Sequence, residues 1–125
     1  MIKANELRIG NYFIDGDGEY GTVHQLYFVE SPSHKYVNGW DYDSIEPIPI
    51  TPEILEKSGL IKDLDSFYKE ITEDGWRIEI EETDKWDVYI RNESGEATIL
   101  CSIDSLHEFQ NVFFAITKEE LEITL

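Results

Sequence analysis

Twenty-seven Asp and Glu side chains, three histidines and one cysteine are the residues of this chain that could do acid–base, metal or nucleophilic chemistry. Their spacing argues against all three. His24, His34 and His107 lie far apart, and none belongs to a His-x-x-x-His or Cys-x-x-Cys ligand pair. The stretch Asp15-Gly16-Asp17-Gly18-Glu19 begins like a calcium loop. It fails at the sixth position, Tyr20, where a Gly is needed, and at the twelfth, Leu26, where a bidentate Glu belongs. A hairpin turn is the better reading. Cys101 stands between Ile99 and Ile103 and reads as a small buried thiol. Neither a glycine-rich phosphate loop nor a Gly-x-Ser-x-Gly elbow is present. Asn92-Glu93-Ser94 matches a glycosylation sequon, which has no weight without a secretory signal. No catalytic, cofactor-binding or metal-binding residue is assigned, and no cofactor is expected.

The carboxylates matter collectively. The net charge is −17, with −5 in residues 1–50 and −12 in residues 51–125. A field of that sign repels phosphates, so direct nucleic-acid binding is disfavoured and a basic protein surface is attracted. The same charge allows a second reading, an acidic inhibitor that imitates nucleic acid, with Glu79, Glu81, Glu82, Asp84 and Asp87 as its phosphate-like row. No apolar run is long enough to span a membrane, and the first residues lack a signal-peptide core. A soluble, cytoplasmic protein is the expectation.

The elements that carry these residues are organised around Ile45 to Leu60. Pro47 and Pro49 remove two backbone donors and make Ile45–Ile50 a stiff strap, pinned by Ile45, Ile48 and Ile50. Thr51 can cap a helix with Pro52 in its first turn, and Gly59 with Leu60 can close it, which predicts a short helix from Pro52 to Ser58. Before the strap, Leu7–Ile14 reads as a strand kinked at Gly10 and Gly21–Glu30 as its return. Lys35–Val37 and Trp40–Ser44 flank the Asn38-Gly39 hairpin signal. These strands predict a small curled sheet or SH3-like barrel. After the helix, Phe67–Thr72 is a strand, and Trp76-Ile78-Ile80, Trp86-Val88-Ile90 and Ala97-Ile99-Cys101-Ile103 alternate with polar residues as an antiparallel meander. Leu106, Phe109, Val112, Phe113 and Ile116 recur at helical spacing behind a Ser105/Glu108 capping box, and this helix is expected to cover the meander. Residues 119–125 alternate and predict a last strand, with a further helical turn as the alternative. The fold class is α+β, with a β-rich lobe at 1–50 and an α+β lobe at 51–125 packed as one body, the strap as their joint.

The aromatic residues read either as core and inter-lobe packing or as an interaction surface. Tyr36, Trp40 and Tyr42 gather around one hairpin, with Tyr27 on the preceding strand, as rigid amphipathic groups of the kind that interfaces use. On the last helix His107, Gln110, Asn111 and Phe114 flank the apolar stripe and suggest a recognition face.

Three blocks carry a resemblance. They are Glu6-Leu7-Arg8-Ile9-Gly10-Asn11, Ile45-Glu46-Pro47-Ile48-Pro49-Ile50-Thr51, and Leu106-His107-Glu108-Phe109-Gln110-Asn111 with Phe114-Ala115, Thr117 and Glu119-Glu120-Leu121. In this order, across nearly the whole chain, they are similar to a group of short uncharacterised proteins encoded by gut Bacteroidetes and by their phages and mobile elements. Lys118 stands where that pattern has Gly, and Phe109 where Leu is usual. The resemblance implies a bacterial or phage cytoplasmic origin and transfers no site residue.

The reading that follows is a non-enzymatic module that binds another protein, or itself, through Tyr36, Trp40, Tyr42, His107, Asn111 and Phe114. The nucleic-acid mimic is the alternative, and an enzyme comes third.

Overall fold

Turn chemistry sets the element boundaries. The computed structural model describes residues 7–28 and 35–125, which divide into two compact units: Met1–Pro49 with Ser105–Val112, and Ile50–Asp104 with Phe113–Leu125. Small antiparallel sheets, a five-stranded meander and, among the described residues, two α-helices make the chain α+β. Among the described residues no helix is long and apolar enough to cross a membrane. The first unit ends its N-terminal part at Pro49 and takes in Ser105–Val112 from the other end of the chain.

In the first unit Gly10 adopts φ 95°, and Asn11 closes a turn by donating to the Arg8 carbonyl. The expected strand therefore begins late, as β1 (Tyr12–Ile14), paired with β2 (Tyr20–Thr22). The Asp15 carboxylate accepts from the amides of Asp17 and Glu19, so it serves its own hairpin loop. The expected return strand is broken after Thr22. The Asn38 side chain takes the amides of His24 and Gln25 and donates to the Thr22 carbonyl, which turns residues 24–25 away from β1. β3 (Leu26–Phe28), β4 (Lys35–Val37) and β5 (Trp40–Asp41) make a second sheet. Residues 29–30 of the expected strand lie outside the described residues, as does His34. Asn38 and Gly39 both take positive φ, the I′-type geometry that two-residue hairpins favour. Beyond Asp41 the strand gives way to a 3-10 turn, Tyr42–Ser44, because the Asp41 carboxylate caps the Asp43 amide. Leu7, Phe13, Val23, Val37 and Ile45 form the buried cluster. Burying each side chain of that size stabilises the unit by about 1.5–3 kcal/mol.

The strap behaves as its prolines require. It forms two isolated bridges, Ile14 with Glu46 and Pro49 with Ser105, and Ile45, Ile48 and Ile50 are buried. In the second unit the Thr51 hydroxyl accepts from the Ile54 amide at 3.2 Å and starts α1 (Pro52–Lys57). At its end Leu60 donates to the Leu55 carbonyl, Gly59 donates to the Glu56 carbonyl, and Gly59 has φ 91°, the expected Schellman closure. Ile54 and Leu55 are buried, as a helix of this length needs.

The meander has one strand more than the alternation showed. β6 (Ile61–Asp63) turns at Leu64-Asp65 into β7 (Ser66–Glu70), followed by β8 (Arg77–Glu82), β9 (Trp86–Arg91) and β10 (Ala97–Ile103), in the order β10-β9-β8-β7-β6. Phe67, Ile78, Ile80, Trp86 and Val88 are buried on one face, as alternation predicts. β10 departs from its expected apolar face. A bulge between Ile99 and Cys101 makes Leu100 an extra residue, and Ile99 and Leu100 are exposed while Ile103 stays buried.

The helix α2 (Leu106–Thr117) buries a rotated face. Leu106, His107, Phe109, Gln110 and Phe113 are buried, whereas Ile116 of the expected stripe is exposed. The polar pair Gln110 and Asn111 finds partners in residues 8–12, which assigns the front of α2 to the first unit. The Ser105 and Glu108 side chains meet directly, Ser105 Oγ donating at 2.7 Å. After α2 the chain adds neither strand nor helix. Lys118 turns it out of the helix at φ 60°, Leu121 is buried, and the Thr124 amide donates to Ser58 Oγ. A lysine in the left-handed region is strained where glycine is not. Lys118→Gly is therefore expected to stabilise the chain by about 0.5–1 kcal/mol and raise Tm by roughly 2–4 °C in thermal denaturation, with Lys118→Val moving it the other way.

Candidate functional site

The residues read from sequence as an interaction surface differ in their surroundings. Tyr36, Trp40 and Tyr42 are half-buried, and Trp40 and Tyr42 pack on the first unit's core cluster. Trp40 lies so close over the Asp15–Gly18 turn that a Cβ on Gly16 would meet its ring at 2.5 Å. This ring is held as part of the fold. His107 is buried with Nδ1 3.0 Å from Ser105 Oγ, and since that hydroxyl donates to Glu108 the imidazole is the donor to it. Asn111 Oδ1 accepts from Arg8 Nε at 3.0 Å and Asn11 Nδ2 at 2.9 Å. His107 is therefore an interior residue and not part of a recognition face, while Asn111 is half-buried and bound to residues 8 and 11. Phe114 is 36% exposed and belongs to the second unit.

The side chains that do stand together lie on the outer face of the meander. The register builds cross-strand rows there: Asp63, Ser66, Glu81, Asp87 and Ser102; then Ile61, Tyr68, Glu79, Tyr89 and Ile99; then Glu70, Arg77, Arg91 and Ala97. The middle row crosses all five strands. Ile61 and Ile99 at its ends are more than half exposed, and Tyr68 and Tyr89 are half-buried. Glu79 at its centre is only 5% exposed.

That carboxylate is matched by two guanidiniums. Arg91 binds it in bidentate fashion, Nε to Oε1 and Nη2 to Oε2, both at 3.0 Å. Arg77 Nε lies 3.1 Å from Oε1, and its guanidinium carbon stacks 4.3 Å from the Tyr68 ring centroid. Arg91 Nη1 also donates to the Gly95 carbonyl, fixing the turn beyond β9. The hydrogen bonds to Glu79 raise the Arg91 pKa against the opposing effect of desolvation, with Glu79 and Asp63 charge adding to them. The Tyr89 phenol is also raised, first by desolvation and then by the charges of Asp87, Glu81 and Glu79, so it stays protonated across the physiological range. Beside this lattice a groove of about 320 Å³ is lined by Asp63, Leu64, Asp65, Ser66, Glu81 and the ion-paired residues. Leu64 at the hairpin tip is 87% exposed with φ 57°.

This arrangement interrupts the expected row of phosphate-like carboxylates. Glu79 is neutralised by arginine, Glu82 shares the opposite face with Trp86, and Asp84 sits in the turn between β8 and β9. Among the described residues no group of three His, Cys, Asp or Glu side chains is placed to hold a metal ion. The sequence places Glu79 in that phosphate-like row, and its burial is not visible there. The signal that could have found it is the pairing of Arg77, Glu79 and Arg91 on same-parity positions of neighbouring strands.

No protein family, curated protein or solved structure matches this chain.

Proposed function

We propose that the chain is a non-enzymatic protein-interaction module whose docking side is the outer face of the five-stranded sheet. The observation that carries this reading is the middle row. Two exposed isoleucines and two half-buried tyrosines run across the outer face, between a carboxylate row and an arginine row. An apolar and aromatic centre within a polar rim is the composition of protein interfaces. The Arg77–Glu79–Arg91 lattice adds rigidity, so little side-chain freedom remains to be lost on binding. With a net charge of −17 the partner suited to this face is a basic protein.

The test is affinity capture from the native host, read by mass spectrometry, with Ile61→Lys and Tyr89→Ala variants beside the wild type and Trp40→Ala as a control. Loss of one and the same partner in both face variants, with retention by Trp40→Ala, supports the reading. Equal recovery by all four proteins refutes it.

A further inference from the structure

β10 is the longest strand of the meander and one of its two edges, with β9 as its one strand neighbour among the described residues. Ala97, Thr98, Ile99 and Leu100 are all exposed. Edge strands of monomeric proteins are commonly blunted by lysine, proline, inward-pointing charge or a bulge. In this chain, with 30% charged residues, Ala97–Ile103 carries no charge and no proline. The bulge at Leu100 is the only such device, and it leaves Ala97–Ile99 as a regular, solvent-facing run. At either end stand exposed carboxylates, Glu96 before the strand and Asp104 after it, the latter in a solvent-exposed ion pair with Lys85 at 3.5 Å that offsets little of its charge.

This charge pattern selects the occupant. Antiparallel pairing of two copies about Leu100 would set Glu96 of each beside Asp104 of the other, and parallel pairing would set like residues together. Like charges facing across a ladder destabilise it, and each copy brings a net charge of −17. A strand with an apolar, β-branched centre and Lys or Arg at both ends meets apolar edge with apolar edge and each carboxylate with a cation. We infer that the β10 edge takes such a segment from a basic protein as a sixth strand of the sheet. This rests on the interaction-module reading and adds how its partner is held: backbone hydrogen bonds along Ala97–Leu100 give affinity, and the flanking charges give selectivity.

The experiment is amide hydrogen exchange on the intact chain, with and without synthetic peptide pools. The first pool has two lysines at each end around five positions drawn from Val, Ile and Thr. The second replaces the lysines by glutamates, and the third carries the lysines with alternate central amides N-methylated on both edges. The lysine pool is expected to slow exchange at amides within residues 97–100 by about tenfold or more, with the β8 amides unchanged and the other two pools without effect. Unchanged exchange with the lysine pool overturns the inference, and so does equal slowing by the N-methylated pool. Slowing that needs no peptide and grows with protein concentration overturns it in favour of self-pairing. Ile61→Lys, at the far end of the sheet, separates the two readings. If it releases the captured partner while the lysine pool leaves residues 97–100 unaffected, the face reading stands and the edge reading falls.

Discussion

Replacing Gln110 by leucine is expected to lower the stability of the first unit by about 2–4 kcal/mol, although leucine forms helix about as well and the position is fully buried. The Gln110 amide makes two bonds, one to the start of β1 and one to the turn before it. Oε1 accepts from the Tyr12 amide at 2.9 Å, and Nε2 donates to the Gly10 carbonyl at 3.1 Å. Leucine of similar size fills the space and satisfies neither. Each orphaned backbone group then carries a desolvation cost of about 1–3 kcal/mol, and the added apolar burial offsets part of it. Urea denaturation reads the total. Exchange of the Tyr12 amide reads the local event, and should quicken by a factor of roughly 30 or more. A loss below about 0.5 kcal/mol would mean that the turn at residues 8–11 stands without its clamp.

That clamp also marks where sequence reasoning stopped. α1 was legible from Thr51 to Leu60 because each of its signals is local: a hydroxyl cap, a proline in the first turn and a left-handed glycine. The alternation in β8 and β9 was legible because Ile78, Ile80, Trp86 and Val88 share one face with period two. Gln110 and Asn111 carry no such signal. A buried amide is distinguished from a solvated one by a partner about a hundred residues away. The same holds for Glu79, whose burial depends on two arginines on its own and a neighbouring strand, and for β10, where one extra residue at Leu100 sets Ile99 and Leu100 in solvent. Non-local polar pairing and bulges leave the local pattern unchanged, so period and composition alone read a lattice as a wet face and an exposed edge as a buried one.

Arg91→Met is expected to cost about 2–4 kcal/mol, and the cost should shrink when Glu79→Leu is added. Removing the guanidinium takes away both bidentate bonds and leaves a carboxylate that is 5% exposed with Arg77 as its remaining ion-pair partner. Stripping a buried carboxylate of its main counter-charge is far more damaging than never burying the charge. In the double variant the carboxylate is absent, the methionine and leucine fill the same strip of sheet, and Arg77 is free to hydrate its partly exposed guanidinium while keeping its stack on Tyr68. The double variant should therefore lie within about 1.5 kcal/mol of the wild type, closer than Arg91→Met alone. A double-mutant cycle from urea denaturation separates these terms, and strictly additive losses would show that the lattice is three independent contacts. Binding should run the other way. If the outer face is the docking side, the double variant keeps its fold but loses the preorganised arginine row beside Tyr68 and Tyr89, so partner capture should fall even where stability is restored. Recovery of both stability and capture would leave the lattice a role in folding alone, with recognition carried by the Ile61–Tyr68–Tyr89–Ile99 row.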